Sequence, residues 1–132
     1  MKRIFPRALV FVWLLFSAAA AQAQGDAFGS VSNALRNSSS RELSQYFGPT
    51  VEISIDGDRQ SYSATQAEFV MKDFFSKTSP ANFEIVHKGA SPGGIPYAVG
   101  KYRSKAGSYR VFVKMKSTNG ALRIDNMEFT KE

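Results

Sequence analysis

His87 is the single histidine of the 132-residue chain, and cysteine is absent. An acid–base centre here would be built on His87, with a tyrosine or carboxylate beside it to set its tautomer and proton affinity. Alternation along the C-terminal half puts Tyr102, and Tyr109 near it, on the side of the sheet assigned to His87, but no carboxylate. Asp73 lies off the apolar stripe of its helix. A lone strand histidine among apolar neighbours is more often a core or rim residue, so no catalytic residue is assigned. One histidine without cysteine leaves no structural zinc site, and thiol or disulfide chemistry is excluded. Glycine-rich phosphate loops, a G-x-S-x-G nucleophile turn and an acidic calcium loop are missing from the sequence. No metal and no cofactor are expected.

The elements that must position such residues begin after a leader. Lys2, Arg3 and Arg7 precede the apolar run ALVFVWLLF at 8–16, and small residues end at Ala21-Gln22-Ala23. Positive start, apolar segment and A-x-A site make a secretory signal peptide over 1–23, with a second candidate cut after Ala21. The run falls far short of the roughly 20 apolar residues a spanning helix needs. The expectation is an exported protein, periplasmic or secreted, with no membrane span after cleavage. The mature segment, 24–132, has room for one domain. Its core must hold by burial alone, since disulfides are excluded. With the leader gone, 14 basic and 11 acidic side chains leave a net charge of +3. That value does not call for a nucleic-acid partner, and none is expected outside the cytoplasm.

Phe28, Val31 and Leu35, with Ala34 beside them, predict a short amphipathic helix over 26–36. Ser39-x-x-Glu42 is a capping box for a second helix, whose stripe is Leu43, Tyr46 and Phe47, with Gly48-Pro49 as its stop. Val51, Ile53 and Ile55 alternate as a strand, Asp56-Gly57 turns it, and a short strand comes next at 60–62. Ser63 or Thr65 caps a longer helix whose apolar face is Ala67, Val70, Met71, Phe74 and Phe75, ended by Ser79-Pro80. Four antiparallel strands are predicted at about 82–90, 95–105, 108–117 and 121–130, joined by turns at 92–94, 106–107 and 119–120. The fold class is α+β.

Loop length fixes hairpin register. A two-residue turn at Ala106-Gly107 sets Arg103 opposite Arg110 and Gly100 opposite Val113, and Asn119-Gly120 sets Met115 opposite Ile124. A bulge near Asp125-Asn126 then restores Met127 and Phe129 to the apolar face. A four-residue loop over 91–94 sets His87 opposite Ala98 and Phe83 opposite Tyr102. In this register the helix-covered face holds Phe83, Ile85, His87, Ala98, Gly100, Tyr102 and Met115, and these residues are expected to line a small apolar pocket. The opposite face gathers Val86, Tyr97, Val99 and Phe112 among Arg110, Lys114 and other cations. An apolar centre with a charged rim is the anatomy of a partner site, so this face is expected to pair with a second copy in a homodimer. Glu84–Lys101 and Lys114–Asp125 fall opposite one another and support the register.

The order helix, helix, strand, short strand, long helix and meander resembles the nuclear transport factor 2-like (cystatin-like) cone, in which a bent sheet wraps a long helix. The segments 41–47, 63–75 with Lys72-Asp73-Phe74-Phe75, 83–89 and 107–111 also resemble an uncharacterised secreted bacterial family of unknown function with that fold. The resemblance implies the fold. It is nearly silent on function, because the fold hosts isomerases, dehydratases, hydrolases and plain binding modules, and its members often dimerise through the outer sheet face. The leading reading is a non-enzymatic binding or protein-interaction module with a pocket for a small apolar ligand. A small hydrolase or isomerase using His87 is the alternative, and an anionic-polymer binder acting through the basic face is the third.

Overall fold

The computed structural model describes residues 28–132, so the expected signal peptide falls outside the described residues. Residues 28–36 form α1. Phe28, Val31, Ala34 and Leu35 are buried, the stripe that the periodicity predicts. The Ser39 hydroxyl accepts the Glu42 N–H at 3.1 Å and starts α2, Ser40–Ser44. This helix is shorter than predicted, and Gly48-Pro49 is not its stop. Phe47 already opens β1, Phe47–Ile55. The reason is long-range: the Ile124 N–H donates to the Tyr46 carbonyl at 2.6 Å, and the Arg123 guanidinium donates to that of Gln45. The last carbonyls of the expected helix are thus taken by a distant strand rather than by a cap.

A tight turn, with Asp56 and Gly57 both at positive φ, leads to β2, Asp58–Ser63. Ser63 then caps α3, Ala64–Thr78, in a full capping box with Gln66. Ala67, Met71, Phe74, Phe75 and Thr78 are its buried residues. Ser79 stops it in the left-handed conformation, and Pro80 begins β3, Pro80–Ser91. The chain closes with β4, Ile95–Ser104, β5, Gly107–Thr118, and β6, Ala121–Lys131.

All six strands share one sheet, in the order β2-β1-β6-β5-β4-β3. The sheet is therefore wider than the four-stranded meander expected: β1 lies parallel to β6, with Ile53 beside Met127 and Ile55 beside Phe129. Side chains alternate between faces along every strand. The helix-covered face carries Val51 and Ile53 of β1, Ile124, Met127 and Phe129 of β6, Val111, Val113 and Met115 of β5, and Tyr102 of β4, all buried.

Two registers differ from expectation. The β4–β5 turn is Lys105-Ala106, so Ser104 pairs with Gly107, Tyr102 with Tyr109 and Gly100 with Val111. The slip is two residues, which leaves every side chain on its predicted face. In the β3–β4 hairpin, Phe83 faces Tyr102 and Ile85 faces Gly100 as predicted, but the ladder shifts between Ile85 and His87. Val86 is the extra residue of a bulge, and beyond it His87 faces Val99 and Lys88 faces Ala98. One inserted residue exchanges the faces, so His87 leaves the concave side. The bulge expected at Asp125-Asn126 is present: Met115 faces Ile124, while Lys114 faces Asn126 and Val113 faces Met127.

Candidate functional site

The concave face does not hold an open pocket where one is expected. Phe83 lays its ring across Gly100: a Cβ there would stand 2.6 Å from Phe83 Cε1 and 2.9 Å from the Glu84 carbonyl oxygen. The room that Gly100 provides is therefore filled by a neighbouring aromatic ring. Deeper in, Phe74 of α3 packs against Phe129, Tyr109 and Tyr102 with ring centroids 4.7, 5.4 and 5.7 Å away. Such tilted and edge-on pairs favour the rings beyond their area burial. Of the expected pocket residues, Phe83, Ala98, Tyr102 and Met115 are buried core, Gly100 is buried beneath Phe83, and Ile85 is half-buried.

His87 is exposed on the outer face, its Nε2 3.3 Å from the Tyr97 hydroxyl. Its assignment to the pocket is corrected by the Val86 bulge. Any acid–base chemistry on His87 would take place on the open sheet surface with Tyr97, not inside the cone.

Tyr102 and its cross-strand partner Tyr109 are buried tyrosines at the other end of the sheet from the 92–94 and 119–120 turns. The Thr78 hydroxyl donates its one proton to the Phe74 carbonyl at 2.8 Å, so Tyr102 donates to Thr78 Oγ1 at 2.7 Å. Burial raises the Tyr102 pKa above its ordinary value of 10.0, the Thr78 bond opposes the rise, and Tyr109 adds to it. The folded pKa thus lies above the unfolded one. The tyrosine's stabilising contribution is complete below pH 10 and is lost as pH climbs through the folded pKa. Stability measured by denaturant titration should begin to fall above pH 10 and level off once the folded pKa is passed. Tyr102→Phe should flatten this alkaline limb while costing about 1 kcal/mol at neutral pH for the lost hydrogen bond. An unchanged alkaline limb in the variant would contradict the assignment.

An open cleft of about 710 Å³ lies instead at the mouth of the cone. Its walls are the tips of the β3–β4 and β5–β6 hairpins, which reach the same end of the sheet, and the α2–β1 connection. Tyr46, Ile95, Pro96 and Leu122 supply apolar surface over the buried Met115, and Lys116 and Arg123 stand in the β5–β6 wall. Met115 is the one residue shared with the expected pocket. Ile95 is 37% exposed for want of any cover from the described residues. The signal for this site lies in the sequence of the hairpins: Ile95-Pro96 directly follows Gly93-Gly94, and Leu122 follows Asn119-Gly120, placing apolar residues at loop tips where polar ones are usual. Among the described residues no group of three or more histidine, aspartate or glutamate side chains could hold a metal ion.

The outer face is organised in rows across the strands. His87, Val99, Phe112 and Glu128 form one row, and Gly89, Tyr97, Lys114 and Asn126 the next. Tyr97 and Phe112 have ring centroids 5.6 Å apart, and Val86 is 60% exposed at the bulge. Lys101, Arg103, Arg110 and Lys114 lie on the β4–β5 half. Towards β6 and β1 the face turns acidic, with Glu128 and Glu52 both on Arg59 at 2.7 and 3.1 Å. Asp125 pairs with Lys114 at 3.7 Å.

Helices packed on one face of a six-stranded, mostly antiparallel sheet make this an α+β fold of the nuclear transport factor 2-like, cystatin-like kind. The chain belongs to the DUF4783 family, a domain of unknown function, which matches residues 28–130. A crystal structure of a DUF4783 family protein from Bacteroides ovatus is 25% identical, with a TM-score of 0.74 over 78% of this chain and 93% of that one. A domain of unknown function with a cystatin-like fold from Nostoc punctiforme is 10% identical, with a TM-score of 0.66 over 86% and 78%. An NTF2-like protein of unknown function from Cytophaga hutchinsonii is 7% identical, with a TM-score of 0.58 over 81% and 88%. The last two likenesses carry the fold alone. No curated protein matches.

Proposed function

We propose that this protein is an exported, non-enzymatic binding module that takes a small apolar ligand in the cleft at the mouth of the cone. One observation carries the reading: apolar side chains from separate elements, Tyr46, Ile95 and Leu122, border one open cleft. Its volume lies within the usual 300–1,000 Å³ of ligand sites. A neutral solvatochromic dye such as N-phenyl-1-naphthylamine should bind saturably, with one equivalent giving a blue-shifted emission. Ile95→Asp places a charge in the cleft wall at a partly exposed position and should weaken the dye at least tenfold without lowering the melting temperature appreciably. Failure of the dye to saturate, or equal affinity in the variant, would overturn the cleft reading.

A second reading, self-association through the outer face, rests on its own observation. Val86, Tyr97, Val99 and Phe112 form a contiguous apolar group on a face that a solvated sheet would make polar. The charge pattern suits a two-fold partner, because the basic β4–β5 half of one copy can lie over the acidic β6–β1 half of the other.

A further inference from the structure

Lys116 and Arg123 are direct cross-strand partners in the β5–β6 hairpin, two cations facing one another at the wall of the apolar cleft. Like charges set opposite in a ladder destabilise it, so this pair is a cost that the fold bears. Elsewhere on the same strands the sequence avoids the cost, since Lys114 has Asp125 at 3.7 Å. Neither Lys116 nor Arg123 forms an ion pair among the described residues. Arg123 is held in place from below, its guanidinium donating to the Gln45 carbonyl one residue before Tyr46 of the cleft. The described cleft lining itself contains no carboxylate, and Asp125, which borders the neighbouring hollow with the same two cations, is paired to Lys114.

From this juxtaposition we infer that the cleft takes an amphipathic anion, a single-chain fatty carboxylate whose head lies between Lys116 and Arg123 and whose chain covers Tyr46, Ile95 and Leu122. The inference rests on the cleft reading above and adds the sign of the ligand's charge. A carboxylate between the two cations converts the repulsive pair into two charge-assisted hydrogen bonds. The chain removes from water the apolar surface left bare at the hairpin tips.

Laurate and its neutral counterpart dodecanol, both below their aggregation concentrations, separate the two statements. Titrated by calorimetry at low ionic strength, laurate should bind at least tenfold more tightly than dodecanol. Lys116→Glu should abolish that preference, and added salt should reduce it in the wild type. Equal affinity for the two, unaltered in Lys116→Glu, would overturn the anion assignment and leave the apolar cleft standing. Binding of neither would overturn both. Lys116 is exposed, and its replacement relieves repulsion across the hairpin, so loss of fold does not confuse the outcome.

Discussion

Phe74→Ala is expected to destabilise the domain by about 3–5 kcal/mol, the range for truncating a fully packed core aromatic. Phe74 is 6% exposed and lies at the centre of a ring cluster with Phe75, Tyr102, Tyr109 and Phe129. Those partners come from α3 itself, from β4, from β5 and from β6, so one truncation removes contacts that join the long helix to three strands. Small domains have about 5–15 kcal/mol in total. The loss should therefore appear as a large fall in the urea midpoint with an unchanged slope. The void would be lined by aromatic and aliphatic groups, and such voids stay dry and accept small apolar guests. Benzene should then restore part of the stability of the variant and none of the wild type. A loss below about 1 kcal/mol would mean that the narrow end of the cone is not held by this ring.

That ring also explains why alternation alone places the pocket too deep. The inward residues Phe83, Gly100, Tyr102 and Met115 are legible from alternation, because a two-residue period survives even a hairpin slip of two. Alternation records which face a side chain takes; it does not record whether the space in front of it is empty. Filling depends on residues remote in sequence, here Phe74 and the ring of Phe83 over Gly100. His87 escapes prediction for a different reason. Its face depends on counting residues through a loop of glycines, and the Val86 bulge, which no local signal marks, changes the parity between Ile85 and His87. The bulge in β6 is legible because the apolar pattern itself changes phase around Asp125-Asn126, from Ile124 to Met127. Val86 and His87 offer no such break, since neither side of β3 beyond Ile85 is continuously buried.

The helices follow the same division. Capping chemistry is local, so Ser63 with Gln66 and Ser39 with Glu42 are readable as helix starts. The end of α2 is not, because the carbonyls of Gln45 and Tyr46 are claimed by Arg123 and Ile124, 78 residues further on. The same two hydrogen bonds bring Tyr46 to the mouth of the cone. A misplaced helix end and a missed cleft thus have one physical origin.

Under the self-association proposed above, Phe112→Arg is expected to give monomers without altering the fold. Phe112 stands mid-row between Val99 and Glu128 and touches the Tyr97 ring, so it occupies the centre of the apolar group on the outer face. Central aromatics are the residues whose loss costs an interface about 2 kcal/mol or more, equivalent to at least about a 30-fold weaker dimer. Two-fold symmetry doubles the effect, because each substitution occurs on both sides of the contact. An arginine at 112 also adds a cation beside Arg110 and Lys114, on the half of the face that is already basic. The side chain is half-buried on the sheet surface and makes no part of the helix-covered core, so the melting curve of the dilute monomer should be unaffected. Sedimentation equilibrium should give a concentration-dependent dimer for the wild type and monomer for the variant. High salt should weaken the wild-type dimer if opposed basic and acidic halves contribute to it. A wild type that sediments as a monomer at every concentration would remove the second copy from consideration. The cations of β4 and β5 would then have to be explained by an anionic partner of another kind, and the salt dependence of binding to an acidic polymer would be the measurement to make next.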